Sequence, residues 1–339
     1  MKILVTGGSG YLGSEIIKYL IKKNIIVYNI DKDKSIIKKN KNYKSFKYNL
    51  TNFMQVESFF QNNKIDTVIH CAAVLEAKNK EKILLNNYKV AKHLLKCCKN
   101  YKIKKFIFIS SNCVYGDVNS LNLAEDRKKK PFENYGLSKL MAENEIKKYL
   151  KFFNCIVLRP PSIIGRGRLG SLSILFDYIF ENRKIPIPGN GKNKYQFISA
   201  DEIGEICFKF VNKNISGVFN IGNKNVQSLN EMFNELIYYS NSKSKLIYFP
   251  KFLLIFTLKI AYFFNLSPFG PYQFKMLTQN YSGSLFKIEK AINFKSKKKN
   301  SDYLIDSYKY YLKQKKRSNL KNNKGYKNYF LFNIIKKFL

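Results

Sequence analysis

Tryptophan is absent from this 339-residue chain, histidine occurs twice, and acids are scarce, with 23 Asp and Glu against 61 Lys and Arg. Long apolar runs are missing as well. The most extended, Phe252 to Leu266, covers 15 residues and is broken by Lys259, whereas crossing a bilayer takes about 20. It is expected to be a buried helix, with membrane contact as the lesser alternative. The six cysteines, Cys71, Cys97, Cys98, Cys113, Cys155 and Cys207, show no paired spacing, which argues against a zinc site or a disulfide frame, so no metal is expected. No basic segment leads into an apolar core at the N-terminus, so no secretory signal is read and the expected compartment is a reduced cytoplasm. There is no repeat.

The excess of positive charge, +38, is spread along the whole chain, its lysines interleaved with Asn, Ile, Phe and Tyr. All five residue types have AT-rich codons, so the pattern reads as lysines on solvated faces, with no specific nucleic-acid partner. It attracts anions in general, and an anionic substrate would benefit. Locally distinctive is the tail, basic from Lys313 to Lys337 and closing with the apolar and aromatic residues of Tyr329 to Leu339. It reads as a membrane-surface helix or docking segment, or as a frayed or self-packed extension.

What is present begins at once. In MKILVTGGSGYLGSE, the run Ile3-Leu4-Val5 reads as a buried strand, and Ser14 to Ile21 has its apolar residues at helical spacing. Gly7, Gly10 and Gly13 therefore occupy a strand-to-helix turn, where a backbone without Cβ approaches a ligand and the helix N-terminus offers N–H groups to a pyrophosphate. A second apolar run, Ile25 to Ile30, ends at Asp31, placed to accept hydrogen bonds from an adenosine ribose. Further strands are expected at Lys44 to Tyr48, Asp66 to His70, Lys104 to Ser110 and Asn154 to Arg159, separated by helical stretches. Such alternation gives an α/β fold, a doubly wound parallel sheet with ligands at the carboxyl ends of its strands. Beyond Pro161, glycines and prolines mark loops, and Gln196 to Ser199 and Gly217 to Ile221 read as returns to the sheet. Residues 227–311 read as mainly helical, a smaller lobe over the cofactor.

Tyr135 and Lys139 stand four apart in a helical pattern and so share a face. An ammonium beside a phenol favours the phenolate, and such a tyrosine exchanges protons with an alcohol or carbonyl. Ser111, ending an earlier strand, has a hydroxyl for the same reacting oxygen. The bland reading of the pair is an ordinary surface Tyr and Lys.

Taken together with further matches along the sequence, these residues make the chain resemble the extended short-chain dehydrogenases/reductases, the NAD-dependent epimerase/dehydratase group. The resemblance runs from Met1 to Tyr311. Its carriers are Thr6-Gly7-Gly8-Ser9-Gly10-Tyr11-Leu12-Gly13, His70-Cys71-Ala72-Ala73, Ser111 before Tyr115-Gly116, the Tyr135/Lys139 pair, Arg159-Pro160, Phe197 to Glu202 and Phe219 to Gly222. It implies a Rossmann-type NAD-binding domain over residues 1–165, with returning segments near 195–225. Residues 166–194 and 226–312 would then form the mainly helical substrate lobe, leaving 313–339 as the basic tail. It also implies NAD as cofactor, with NADP open, and a homodimer. Gly7, Gly10, Tyr11, Leu12, Gly13, Asp31, Asn49, Leu50, His70, Ala72, Ala73, Asn87, Tyr135 and Lys139 are the implied cofactor residues. Tyr135 is the implied acid/base, Lys139 holds the ribose and tunes Tyr135, and Ser111 orients the substrate oxygen. Asn87 looks like the helix Asn that supports the site, although Val90 and Ala91 follow it where small residues are usual. Asn49-Leu50-Thr51-Asn52 stands where the family's adenine-contacting Asp-x-x-Asp does.

Sugar 4,6-dehydratases of this group carry Asp-Glu after the hydroxyl residue, but this chain has Asn112-Cys113, which disfavours dehydration. Cys113 resembles the epimerising cysteine of the GDP-fucose synthase branch without its partner His, and reads as packing. UDP-sugar 4-epimerases usually present Asn where Ser162 stands, and Arg-Asp-Phe where Tyr195-Gln196-Phe197 stands. Arg166, Arg168 and Lys194 are candidates for the missing diphosphate contacts. A nucleotide-sugar epimerase or reductase is the favoured reading. Arg159-Pro160 and the apolar Phe252 segment lean toward the sterol dehydrogenase and dihydroflavonol-reductase branch, hence an apolar 3-hydroxy or keto substrate is the alternative. A non-catalytic cofactor-binding protein is the third.

Overall fold

The computed structural model describes residues 1–38, 40–75, 80–167, 169–264 and 271–318. Its strands are β1 (Lys2–Thr6), β2 (Ile26–Asp31), β3 (Tyr43–Lys47), β4 (Thr67–His70), β5 (Lys105–Ile109), β6 (Ser120–Leu123), β7 (Asn154–Arg159), β8 (Ser162–Ile163), β9 (Ile185–Pro188), β10 (Phe197–Ile198), β11 (Gly217–Asn220), β12 (Leu246–Phe249) and β13 (Tyr281–Gly283). Its helices are α1 (Tyr11–Lys22), α2 (Phe53–Asn62), α3 (Lys80–Asn100), α4 (Asn134–Lys147), α5 (Leu172–Phe180), α6 (Ala200–Val211), α7 (Leu229–Tyr239), α8 (Lys251–Phe263), α9 (Pro271–Thr278), α10 (Phe286–Ile292) and α11 (Asn300–Ser318).

Seven strands form one sheet in the order β11-β7-β5-β4-β1-β2-β3, every neighbouring pair parallel. Because successive side chains leave a strand on opposite faces, Leu4 joins a core with Val68, Phe106 and the inner faces of α2, α3 and α4, while Ile3 and Val5 join one with Ile16, Ile17 and Ile206 of α1 and α6. Cover on both faces is why the central strands read as apolar runs, whereas the edge strand β3, Tyr43–Lys47, is mostly exposed and polar. A third core, built on Phe176, Phe197, Leu236, Tyr303 and Tyr308, belongs to the smaller lobe.

Gly217 to Ile221 does return to the sheet, as β11 at its edge beside β7. Gln196 to Ser199 does not: β10 pairs with β8 in a separate two-stranded piece. Within the glycine-marked stretch after Pro161, α5 forms where only loops were expected. The expected start of the tail at residue 313 falls inside α11, which continues to Ser318, and residues 319–339 lie outside the described residues.

Lysines are mostly at the surface, and among the described residues only Lys105 and Lys139 are buried. Lys105 donates to the carbonyls of Phe210, Val211 and Lys213 at 2.6–2.7 Å, closing the C-terminus of α6 where the helix dipole favours a cation. The expected burial of the Phe252 segment is overturned. In α8, Phe252 is 77% exposed, Phe256 62% and Phe263 79%. Among the described residues no helix is long and apolar enough to cross a membrane.

Candidate active site

The glycine turn is held from below by two side chains at the end of β2. Asn29 accepts from the Gly8 N–H and Asp31 from that of Ser9, both at 2.9 Å. Gly7 has φ +75°, and a Cβ on it would lie 2.7 Å from the backbone of Ala72, so this position needs glycine for conformation and for close approach. A Cβ at Gly13 would lie 2.3 Å from the Gly7 carbonyl oxygen, which is how α1 starts hard against the turn. At Gly10 a Cβ meets nothing nearer than 3.3 Å, and Gly10, as N-cap of α1, gives that helix no side-chain cap. The start of α1 thereby has no side-chain cap from Gly10, and a helix N-terminus favours an anion.

The candidate reacting groups come from two elements. Ser111 follows β5 and caps a short 3-10 turn, Asn112–Tyr115, accepting from the Cys113 N–H at 3.1 Å. Tyr135 and Lys139 lie on α4, where Gly136 allows the approach: a Cβ there would be 2.7 Å from the Cys113 carbonyl oxygen. Lys139 Nζ sits 5.7 Å from the Tyr135 ring centroid and 4.7 Å from that of Phe108. Burial holds its pKa down at about 8, against the opposing pull of Cys71 and Glu143. Unlike Lys105, this ammonium donates to one protein carbonyl, that of Ile109 at 2.8 Å, leaving two N–H donors for a ligand. A pair of ribose hydroxyls fits that need, and with the uncapped α1 the residues present fit a dinucleotide.

Asn87 on α3 is buried and bonds Val74 at both backbone N–H and carbonyl, and the Ser138 hydroxyl at 3.0 Å. It thus ties the strand loop after β4 to the helix of Tyr135. His70 is 1% exposed, its Nδ1 2.7 Å from the Thr6 hydroxyl and its ring stacked on Phe108. Burial, and then Lys139, hold its pKa well below the usual histidine range, so it packs as a neutral ring. Cys71 is a thiol, pushed up to about 12 by burial. Asn49 Oδ1 accepts from the backbone and hydroxyl of Thr51, and Asn52 caps α2. Leu50 is buried, with its carbonyl 3.2 Å from His93 Nδ1. Ala72 lies against Gly7, and Ala73 follows it exposed.

Among the described candidate substrate residues, Arg166 sits in a loop that touches α1. Its neighbours Gly165 and Gly167 lie against Tyr11 of α1, where a Cβ at Gly167 would be 3.6 Å from the ring. The Arg166 guanidinium is 71% exposed and 3.7 Å from Asp306. Ser162 Oγ is 3.4 Å from Met276 Sδ, the backbone of Lys194 donates to Asn280, and Arg168 lies outside the described residues. Gln196 is buried and bonded to the backbone of Asn223 and Gly283, a structural position.

Sequence reasoning missed a buried network behind α4. Glu143 accepts two hydrogen bonds from Arg159 and one from the Ser110 hydroxyl; Arg159 also donates to Tyr115 and to the Glu125 carbonyl, and Tyr115 donates to Asn220. Glu143 stands four residues after Lys139, so carrying the Tyr135–Lys139 spacing one turn further would have found it.

The doubly wound sheet and the glycine turn define a Rossmann-type enzyme of the NAD-dependent class. Residues 3–222 match the model of the NAD dependent epimerase/dehydratase family, and the chain belongs to that family. NAD is its cofactor, and its relatives include enzymes acting on nucleotide sugars. It is 33% identical to the dTDP-D-glucose 4,6-dehydratase of Dictyostelium discoideum over 65% of this chain and 58% of the relative. With the ADP-L-glycero-D-manno-heptose-6-epimerase of Brachyspira hyodysenteriae it shares 31% identity over 73% of this chain and 84% of the other. In fold it is similar to the UDP-glucose 4-epimerase of Thermotoga maritima, with a TM-score of 0.75 and 21% identity over 93% of this chain and 99% of that one.

Proposed function

We propose that the protein is a nucleotide-sugar epimerase, with net reduction of such a sugar as the nearest variant. Tyr135 takes the proton from a sugar hydroxyl as the carbonyl forms and returns it afterwards. Ser111 holds that oxygen, and Lys139 keeps Tyr135 inclined toward the phenolate while binding ribose hydroxyls. Bound NAD supplies a hydride acceptor that can give the hydride back. Residues 1–165 and the returning segments hold the cofactor, Asp31 preferring NAD to NADP; residues 166–194 and 226–312 receive the sugar nucleotide, with Arg166, Arg168, Lys194 and Ser162 at its diphosphate.

The observation that carries this reading is Asn112. Loss of water from a sugar needs an acid beside the departing hydroxyl. The residue after Ser111 is instead a buried amide whose Nδ2 donates to the Tyr195 hydroxyl at 2.9 Å. Epimerisation and reduction need no second acid. The apolar alternative loses support, since the Phe252 face is turned to solvent instead of enclosing a cavity.

The test is incubation with UDP-, GDP- and dTDP-sugars, proton NMR for products, and NADH absorbance. Epimers without net NADH change support the epimerase, and reduced sugar with matching NADH consumption supports the variant. Inertness toward all sugars, with stoichiometric NADH change on a sterol or flavonol, overturns both.

A further inference from the structure

Helix α8 wears its amphipathicity inside out. Phe252, Phe256, Ile260 and Phe263 recur at steps of four, four and three and so share one face, which Leu253 and Phe264 widen. All six side chains are between 43% and 79% exposed. The opposite side, Leu254, Ile255 and Leu258, is half-buried against the protein. A contiguous aromatic face of this kind on a soluble enzyme marks an interaction surface.

Charge decides what covers it. A second copy of this chain would bring two bodies of formal charge +38 together, and their mutual repulsion opposes docking. An anionic lipid surface is attracted by the same charge. Lys259 is exposed within α8, and Lys251 at its start and Tyr248 just before it are exposed too, placing cations and a phenol where lipid headgroups would lie. After Asp306 the sequence contains no further acid. A short helix that buries phenylalanines at the acyl boundary and keeps lysines among the headgroups is the arrangement of a monotopic membrane contact.

We propose that α8 docks the enzyme on anionic membranes, with Phe252, Phe256, Ile260 and Phe263 entering the interface. This does not depend on the nucleotide-sugar reading. The full chain is sedimented at physiological salt with vesicles of phosphatidylcholine alone or with a quarter of phosphatidylglycerol. Wild type is expected to sediment with the anionic vesicles only, and the triple variant Phe252→Ser/Phe256→Ser/Phe263→Ser to bind at least tenfold more weakly with an unchanged melting temperature. Because the chain has no tryptophan, F256W provides a single reporter, whose emission should shift to the blue with anionic vesicles. Wild type remaining in the supernatant, an unshifted reporter, or a triple variant that sediments like wild type overturns the proposal, the last by assigning binding to dispersed charge. It is equally overturned if wild type ignores vesicles and the triple replacement converts an oligomer to a monomer.

Discussion

Arg159 and Glu143 face each other across two hydrogen bonds, Nε to Oε1 at 3.0 Å and Nη2 to Oε2 at 2.6 Å, with both side chains almost wholly out of water. Lysine has no planar fork with which to replace that geometry. Glu143→Gln is expected to cost about 3–5 kcal/mol, because the buried Arg159 charge loses its partner, and Arg159→Lys, which keeps the charge but loses the fork and some of its hydrogen bonds, about 1.5–3 kcal/mol. Urea unfolding reads this as a lower midpoint at constant slope. A loss below about 1 kcal/mol in both would show the pair to be dispensable.

Tyr135→Phe keeps the ring and removes only the proton-carrying oxygen. NAD should remain bound, while turnover falls by about 10²–10⁴-fold or more. Wild-type turnover on the identified substrate would refute the role.

Lys139 links stability to pH in the cofactor-free protein. Its folded pKa of about 8 lies below its ordinary 10.5, so between these values the unfolded chain holds more protons and stability rises with pH. Below pH 8 both states are protonated and the burial penalty is constant. Buried Cys71, Cys97 and Cys155, pushed up from 9.0 to about 12, act oppositely as unfolded thiols ionise, but they do so in wild type and variant alike and cancel in the difference between the two, which is read over the window from pH 8 to 9. Across it, wild type should gain about 1 kcal/mol on Lys139→Met. A flat difference in denaturation midpoints would contradict the assignment.

Arg166→Ala with Arg168→Ala should leave stability unchanged, since the exposed contact of Arg166 with Asp306 is worth little. It should raise KM for a nucleotide sugar tenfold or more through lost charge-assisted bonds worth about 1.5–3 kcal/mol each, and barely affect an apolar alcohol. Equal KM values for the sugar in variant and wild type would remove these arginines from the diphosphate.

Asp31→Ala should narrow the preference for NAD over NADP in a binding titration, because a carboxylate repels a 2′-phosphate. Tighter NADP binding by the wild type would reverse the expectation.

The sheet was legible because its central strands are buried on both faces and most are separated by helices, while the exposed edge strand β3 was read from its place in the alternation. The local motifs were legible for a related reason: the glycine turn and the Tyr135/Lys139 spacing are properties of one segment. What escaped depends on partners distant in sequence. Whether Phe197 pairs with the main sheet or with Ser162 is a matter of register with another strand. The apolar content of α8 says that the helix has a greasy face, and only the arrangement of neighbouring elements says which way it points. Asn29, Gln196 and Glu143 are polar residues whose work is done on groups far along the chain.

Tyr135, Lys139 and Glu143 follow one another at single-turn spacing along α4, so the proposed proton donor, the buried ammonium and the anchor of the ion pair share one helix. A transient opening of this helix removes all three at once, and no partly assembled state retains the acid without its cation. If those roles hold, activity on warming should disappear no later than the amide-exchange protection of α4.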